Sequence, residues 1–471
     1  MAIAALELLY VLGSLVALRL AWQVLEWGWL SPRRLGRALR AEGLRGTAYR
    51  FPAGDAKDEE RLLAAARAKP MPSLSHAISA RVGPLVHNAI HEHGKISVVW
   101  IGPTPKVILS DPKLVREVLS KSSKFGDFQK PKLPSHFIKL IAQGLTVHED
   151  VWPEMQDLTG DAISRAAFGS SLIEGRRIFR IQAEQIKIAN EMTNLYIPGY
   201  TYLPTKPNRR IKANAREVEA LLRGIITKRE TAMKNGHADD SDLLGKLMQS
   251  NVEEAHGGGG SSKPMMTMED IIGELKLFYF AGMETTSALL AWTLIVLSMH
   301  PEWQDRAREE VLEVFGKNEP NINGTNSLKV VTMVLYEVLR LYPPIIDLER
   351  QTWKEMELGG VRYPPGVTLL LPILAIHHDP DLWGEDVDQF RPERFADGIS
   401  KASRDTPAFF PFGWGPRICV GQNFALLEAK VALAMLLQRF SFGLSPSYTH
   451  APFSVSTVQP EHGAQIVVKK I

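Results

Sequence analysis

Cys419 is the only cysteine among 471 residues, and its neighbours give it a specific chemistry. It lies in Phe412-Gly413-Trp414-Gly415-Pro416-Arg417-Ile418-Cys419-Val420-Gly421, just ahead of an amphipathic helix expected over 423–440. Two glycines let the backbone bend tightly against a flat ligand. The helix dipole and the free N–H groups of its first turn favour thiolate over thiol. A thiolate can bind iron, and backbone N–H groups aimed at the sulfur would tune its electron donation. A lone cysteine is more often a small buried hydrophobe. The long pattern Phe-x-x-Gly-x-Arg-x-Cys-x-Gly outweighs that reading here.

Two other constellations carry chemistry. Ala281-Gly282-Met283-Glu284-Thr285-Thr286 sets an acid beside an alcohol, a pairing suited to proton relay. Its plainer reading is a helical threonine bonded back to the Ala281 carbonyl, with the acid on a solvated face. Glu337 and Arg340 are three apart in Tyr336-Glu337-Val338-Leu339-Arg340 and so share a helix face. Exposed, such a pair contributes only about 0.2–0.5 kcal/mol. Buried, the loss of one partner costs about 3–5 kcal/mol.

The elements that must position these residues are mainly helices. A long helix over 267–299 carries Glu284 and Thr285; the run Thr267-Met268-Glu269-Asp270 opens it and His300-Pro301 stops it. Its 33 positions would reach roughly 50 Å. Glu274, Lys276 and Glu284 interrupt it, which favours a buried central helix over a membrane span. Helices over 303–315 and 328–342 follow, then a strand near 367–371. Upstream, 155–249 is rich in helix formers, broken at Ile197-Pro198-Gly199-Tyr200 and Pro204-Thr205-Lys206-Pro207. Two short strands, 95–101 and 106–109, flank the turn Gly102-Pro103-Thr104-Pro105. The stretch 256–263, His256-Gly257-Gly258-Gly259-Gly260-Ser261-Ser262-Lys263, reads as a flexible surface linker.

Length leaves open two domains or one unusually large single-core enzyme. Hydrophobic residues at 45% and charged residues at 23% exclude a disordered or fibrous chain. The 55 basic and 52 acidic side chains leave +3, too little to argue for nucleic acid as a partner. One cysteine makes no internal disulfide, which fits a reducing compartment or a thiol kept for chemistry. Residues 1–30 read as a membrane anchor: 6–18 is apolar apart from Glu7 and Ser14, and Trp22, Trp27 and Trp29 suit an interface. Arg33, Arg34, Arg37 and Arg40 follow, so the positive-inside rule leaves 31–471 in the cytosol. The alternative is an amphipathic or buried first helix.

Taken together, these motifs and their order resemble the cytochrome P450 superfamily of haem-thiolate monooxygenases, across almost the whole chain. The resemblance implies a mainly α fold with small β-sheets and a long central helix over the haem. It implies haem b held by Cys419 as the metal ligand, with Phe412, Arg417 and Arg350 in contact with the group and both arginines on its propionates. Arg350 has an ordinary surface arginine as its plainer reading. Ala281 and Gly282 would give O2 room. Glu284 would relay protons from solvent while Thr285 orients the group that receives them. Glu337 and Arg340 would form a buried structural triad with Arg394, from Phe390-Arg391-Pro392-Glu393-Arg394-Phe395. Partners implied are an NADPH-cytochrome P450 reductase, through which NADPH acts indirectly, O2, a lipid membrane at the endoplasmic reticulum and an apolar small-molecule substrate.

Three segments are most similar to the plant secologanin synthase-like group: Ala167-Phe168-Gly169-Ser170-Ser171 preceding Glu174-Gly175-Arg176-Arg177; Tyr196-Ile197-Pro198-Gly199-Tyr200 with Leu203-Pro204-Thr205-Lys206; and Leu341-Tyr342-Pro343-Pro344. That resemblance implies a terpenoid or a xenobiotic such as a herbicide as substrate. Side chains near Ile345-Ile346-Asp347 and Phe453-Ser454-Val455 would line its pocket.

The pattern breaks once. Members carry a helix with Trp-x-x-x-Arg between the segments matching Gly144-Leu145-Thr146-Val147-His148 and the helix near Trp152, whereas here only Glu149, Asp150 and Val151 intervene. Two helices' worth of chain and a propionate-binding arginine are expected to be absent, as a skipped or mispredicted exon would leave it. Two functions follow: an active monooxygenase, or a truncated, catalytically impaired haem protein.

Overall fold

The computed structural model describes residues 2–69, 71, 74–122, 128–129, 150–169, 172–191, 200–235, 242–256, 266–404 and 406–471. The glycine run 257–260, Ile197-Pro198-Gly199 and residues 144–149 lie outside them, and with them most of the junction at which a break is expected.

A central helix, Met268–Met299, organises the molecule. Its start is a capping box: Thr267 Oγ1 accepts from the Asp270 N–H at 3.1 Å, and Asp270 Oδ2 accepts from the Thr267 N–H at 2.8 Å, an arrangement that contributes about 1 kcal/mol. From Ser287 to Leu297 every side chain is buried. A helix apolar on all sides belongs inside a core. This helix is long and apolar enough to cross a membrane, but most of that stretch is buried inside the protein, as in the core helix of a soluble domain.

Around it pack the helices Val151–Phe168, Leu172–Glu191, Lys206–Lys234, Leu243–His256, Pro301–Phe315, Lys329–Leu341 and Gln422–Leu437. The first four share a cluster with the first half of the central helix, including Ile163, Phe168, Ile178, Leu222 and Tyr279. The last three share the main core with its second half, around Trp292, Val334 and Leu433. The final helix ends at Leu437, short of the expected 440, because Phe440 begins a strand.

The strands of the main sheet are β1 (Arg45–Gly46), β2 (Ile96–Ile101), β3 (Thr104–Leu109), β4 (Phe128–Gln129), β5 (Leu348–Thr352) and β6 (Thr368–Leu371). Their order is β1-β2-β3-β6-β5-β4. β2 and β3 form the antiparallel hairpin, and β3 runs parallel to β6. β5 pairs antiparallel with β6, setting Arg350 opposite Leu369. A separate hairpin joins Pro452–Ser454 to Val458–Pro460 near the C-terminus.

From Asp150 onward the chain is tied in place. Asp150 Oδ1 caps the helix Val151–Phe168 through the Trp152 N–H at 3.0 Å and also accepts from the Ala464 N–H. At the other end, helix Ala2–Leu25 exposes Val11, Leu15, Val16, Leu18, Leu20 and Trp22. Arg34 then pairs with Glu26 at 3.1 Å, and Arg33 lies over the Trp29 ring.

Candidate functional site

Cys419 sits exposed in a loop whose shape is fixed from within. Its N–H donates to the Phe412 carbonyl at 2.9 Å, and the helix Gln422–Leu437 starts three residues later. Gly413 and Gly415 both have positive φ, at 74° and 72°. A Cβ on Gly415 would stand 2.5 Å from the Leu119 carbonyl oxygen, so only glycine permits this approach to the helix Pro112–Ser120.

Two arginines converge beside this loop. Arg350 is buried, its Nε donating to Ser122 Oγ at 2.8 Å and Nη1 to the Glu349 carbonyl at 2.8 Å. Burial, and then the charge of Arg417, lower its pKa from the usual guanidinium value. Among the described residues neither arginine has a carboxylate at ion-pair distance. A buried cation facing a second cation calls for an anion from outside the chain. The two propionates of a haem are such anions, and Cys419 supplies a soft ligand for its iron. The residues present therefore fit the group.

The loop is anchored by buried charge. Arg340 Nε and Nη2 donate to Glu337 Oε2 and Oε1, each at 2.8 Å, and both side chains are 0% exposed. Arg394 Nε stands 3.5 Å from Glu337 Oε1, while its Nη1 donates to the Trp383 carbonyl and Nη2 to that of Asp386. Arg340 Nη1 also donates to the His377 carbonyl at 2.9 Å. His377 Nε2 in turn accepts from the Phe410 N–H at 3.0 Å, two residues before Phe412. Sequence reasoning missed His377. Its signal lies in the buried segment Ile373–His377, whose role depends on a contact 33 residues away.

Glu284 and Thr285 are neighbours in sequence with separate partners. Thr285 Oγ1 donates to the Ala281 carbonyl at 2.7 Å, the plainer of the two readings. Glu284 is 3% exposed, which the solvated-face reading does not accommodate. Its Oε1 accepts from Gln459 Nε2 at 2.5 Å, Thr457 Oγ1 at 3.2 Å and Ser456 Oγ at 3.5 Å, and its Oε2 from Gln156 Nε2 at 3.3 Å. Burial raises its pKa above the ordinary value, against the lowering effect of these donors. A Cβ on Gly282 would lie 2.6 Å from Ile163 Cγ1. Its small size thus serves the close approach of the helix Val151–Phe168.

A mainly helical fold with an exposed cysteine loop, two neighbouring arginines without carboxylate partners among the described residues and a central helix bearing an acid and an alcohol has the parts of a haem-thiolate protein. The sequence comparisons agree: the profile of the Cytochrome P450 family matches residues 148–468, and the chain belongs to that family. Cytochrome P450 CYP72A616 of Paris polyphylla is 52% identical, over 99% of each chain. Secologanin synthase 1 of Catharanthus roseus is 42% identical, over 96% of this chain and 95% of its own. The solved structure "Retinoic acid bound cyanobacterial CYP120A1" shares the fold, with a TM-score of 0.68 at 20% identity, covering 85% of this chain and 98% of that one. The alignment with the Paris polyphylla protein runs over 519 positions, 48 more than this chain has residues, so at least that many positions lack a counterpart here.

Proposed function

We propose that this cytochrome P450 monooxygenase is anchored in the endoplasmic reticulum membrane by residues 1–30. It inserts one atom of O2 into an apolar terpenoid or a xenobiotic such as a herbicide, with electrons from NADPH delivered by a reductase. The observation that carries the reading is the Cys419 loop with Arg350 and Arg417 beside it and, among the described residues, no carboxylate at ion-pair distance from either. When bound, the haem supplies the iron at which O2 is activated. The chain's own residues hold it, with Cys419 on the iron and the two arginines on the propionates, and keep Glu284 and Thr285 as the acid and alcohol on the central helix. Kinship with a secologanin synthase supports a terpenoid. The exposed apolar face of helix Ala2–Leu25, followed by the exposed Arg33, Arg34 and Arg37, supports an anchor with the catalytic domain in the cytosol.

The 48 alignment positions without a counterpart favour a second reading, a truncated haem protein with impaired turnover. One experiment separates the two. The purified chain is reduced under carbon monoxide for its spectrum, then assayed for NADPH consumption with a plant reductase. A thiolate band with reductase-dependent consumption supports the monooxygenase; a band without consumption supports the impaired protein; a chain that retains no haem overturns both. Cys419→Ser abolishes the thiolate band in either case.

A further inference from the structure

Glu284 is a buried carboxyl with four hydrogen-bonding partners, none of them charged. Three come from the C-terminal hairpin, more than 170 residues away: Ser456, Thr457 and Gln459. The fourth, Gln156, comes from the helix Val151–Phe168, which also reaches the central helix through Thr159 Oγ1 and the Met283 carbonyl at 3.0 Å. Of the charged groups on these neighbouring elements, Glu154 is exposed to solvent and the others are paired elsewhere. Asp157 pairs with Arg176, Asp161 with Arg165, and Glu461, just past the hairpin, with Arg67 and Arg81. Gln459 Nε2 also lies 3.1 Å from Thr457 Oγ1, so the two hairpin side chains brace each other as well as the acid. A buried acid among neutral donors has no cation to hold it ionised. Its proton affinity then depends on how many donors address the charged form.

We propose that Gln459, Thr457 and Gln156 are positioning residues for Glu284, fixing the orientation of its carboxyl group and setting how readily it releases its proton. The inference rests on reading Glu284 as a proton donor in oxygen activation. It gives the C-terminal hairpin a part in catalysis: whatever moves the hairpin alters the acid.

The test is a pH titration of the haem-loaded full chain, followed by the infrared C=O stretch of the protonated carboxyl. Glu284→Gln identifies the band by removing it. Each of Gln459→Leu and Thr457→Val deletes a donor to the carboxylate, so the titration midpoint moves up by about 0.5–1 pH unit, a three- to tenfold gain in proton affinity. Thr457→Ser keeps the hydroxyl and restores the wild-type midpoint. Midpoints unchanged in both deletion variants overturn the proposal. The underlying reading is tested separately, by the share of NADPH electrons released as hydrogen peroxide with a plant reductase. Glu284→Gln raises that share if Glu284 donates protons. An unchanged share overturns the donor reading, whatever the infrared titration shows.

Discussion

Two buried polar networks meet at the end of the helix Lys329–Leu341, and they are built on opposite principles. Two residues before Tyr342, Arg340 joins an ionic network in which Glu337 faces two guanidinium groups at zero side-chain exposure. Tyr342 joins a neutral one. Its hydroxyl lies 2.7 Å from His76 Nδ1 and 3.2 Å from His450 Nε2. His76 Nε2 continues to His300 Nε2 at 3.3 Å, His300 Nδ1 reaches Glu302 at 3.3 Å, and His450 Nδ1 reaches Tyr448 Oη at 2.8 Å. With every histidine neutral, one assignment satisfies the chain. Tyr448 donates to His450, His450 to Tyr342, Tyr342 to His76, His76 to His300 and His300 to Glu302. The ionic network needs its charges, whereas the buried members of the neutral one, His76, Tyr342 and His450, carry none and hand the chain on to the exposed Glu302.

The largest expected effect comes from breaking the ionic network. Arg340→Ala leaves Glu337 buried against the more distant Arg394, frees the His377 carbonyl and loosens the support that His377 gives the Phe410 amide. Stability falls by about 3–5 kcal/mol, read from urea denaturation, and haem is retained less well. Arg340→Lys restores the charge without the two-pronged geometry and falls between.

Acid breaks the neutral network instead. Burial, aided by the neighbouring histidines and Arg340, lowers the His76 pKa to about 3; burial, then Arg81, lowers that of His450 to about 4. The unfolded chain takes up these protons near pH 6.5, well before the folded one. The stability each group contributes is therefore complete above about 6.5 and is lost as the pH falls toward 4 and 3. By pH 5 the loss is about 1–2 kcal/mol for each histidine. Unfolding free energies measured at pH 7 and 5 check this: His76→Gln with His450→Gln flattens the dependence, and an unaltered slope would refute the assignment.

Tyr342→Phe costs less, about 1–2 kcal/mol. It retains the stack on Trp292, at 4.2 Å between ring centroids, and removes only the hydroxyl that links His76 to His450. Thermal denaturation measures it.

These networks show what was legible in the sequence and what was not. The Cys419 pattern and the Glu-x-x-Arg spacing are local, so residue order alone places them in a loop before a helix and on one helix face. The capping residues of the central helix are local too. The clamp on Glu284, the contact of His377 with Phe410 and the His76–Tyr342–His450 chain join positions tens to hundreds of residues apart. No periodicity encodes such pairings. Gly282 shows the same limit: its smallness was visible, but the partner it accommodates, Ile163, depends on how two helices cross.

Glu428 belongs to neither kind of network and gives the finest test of the comparison. It lies on the helix that follows Cys419, and neither carboxyl oxygen has a hydrogen-bonding partner among the described residues. Burial pushes its pKa up to about 8. In the unfolded chain it ionises near 4.5, so its contribution to stability is full below that value and is lost as the pH rises toward 8. Gln has the shape of the neutral acid and cannot ionise. Glu428→Gln is therefore expected to leave stability unchanged at pH 4 and raise it by about 1 kcal/mol at pH 8, the gain limited by an amide that inherits the same lack of partners. Urea denaturation at the two pH values measures the difference. A loss of stability at pH 8 would mean that the carboxylate has a stabilising role there, and Glu428 would then belong with Glu337 among the acids that need their charge.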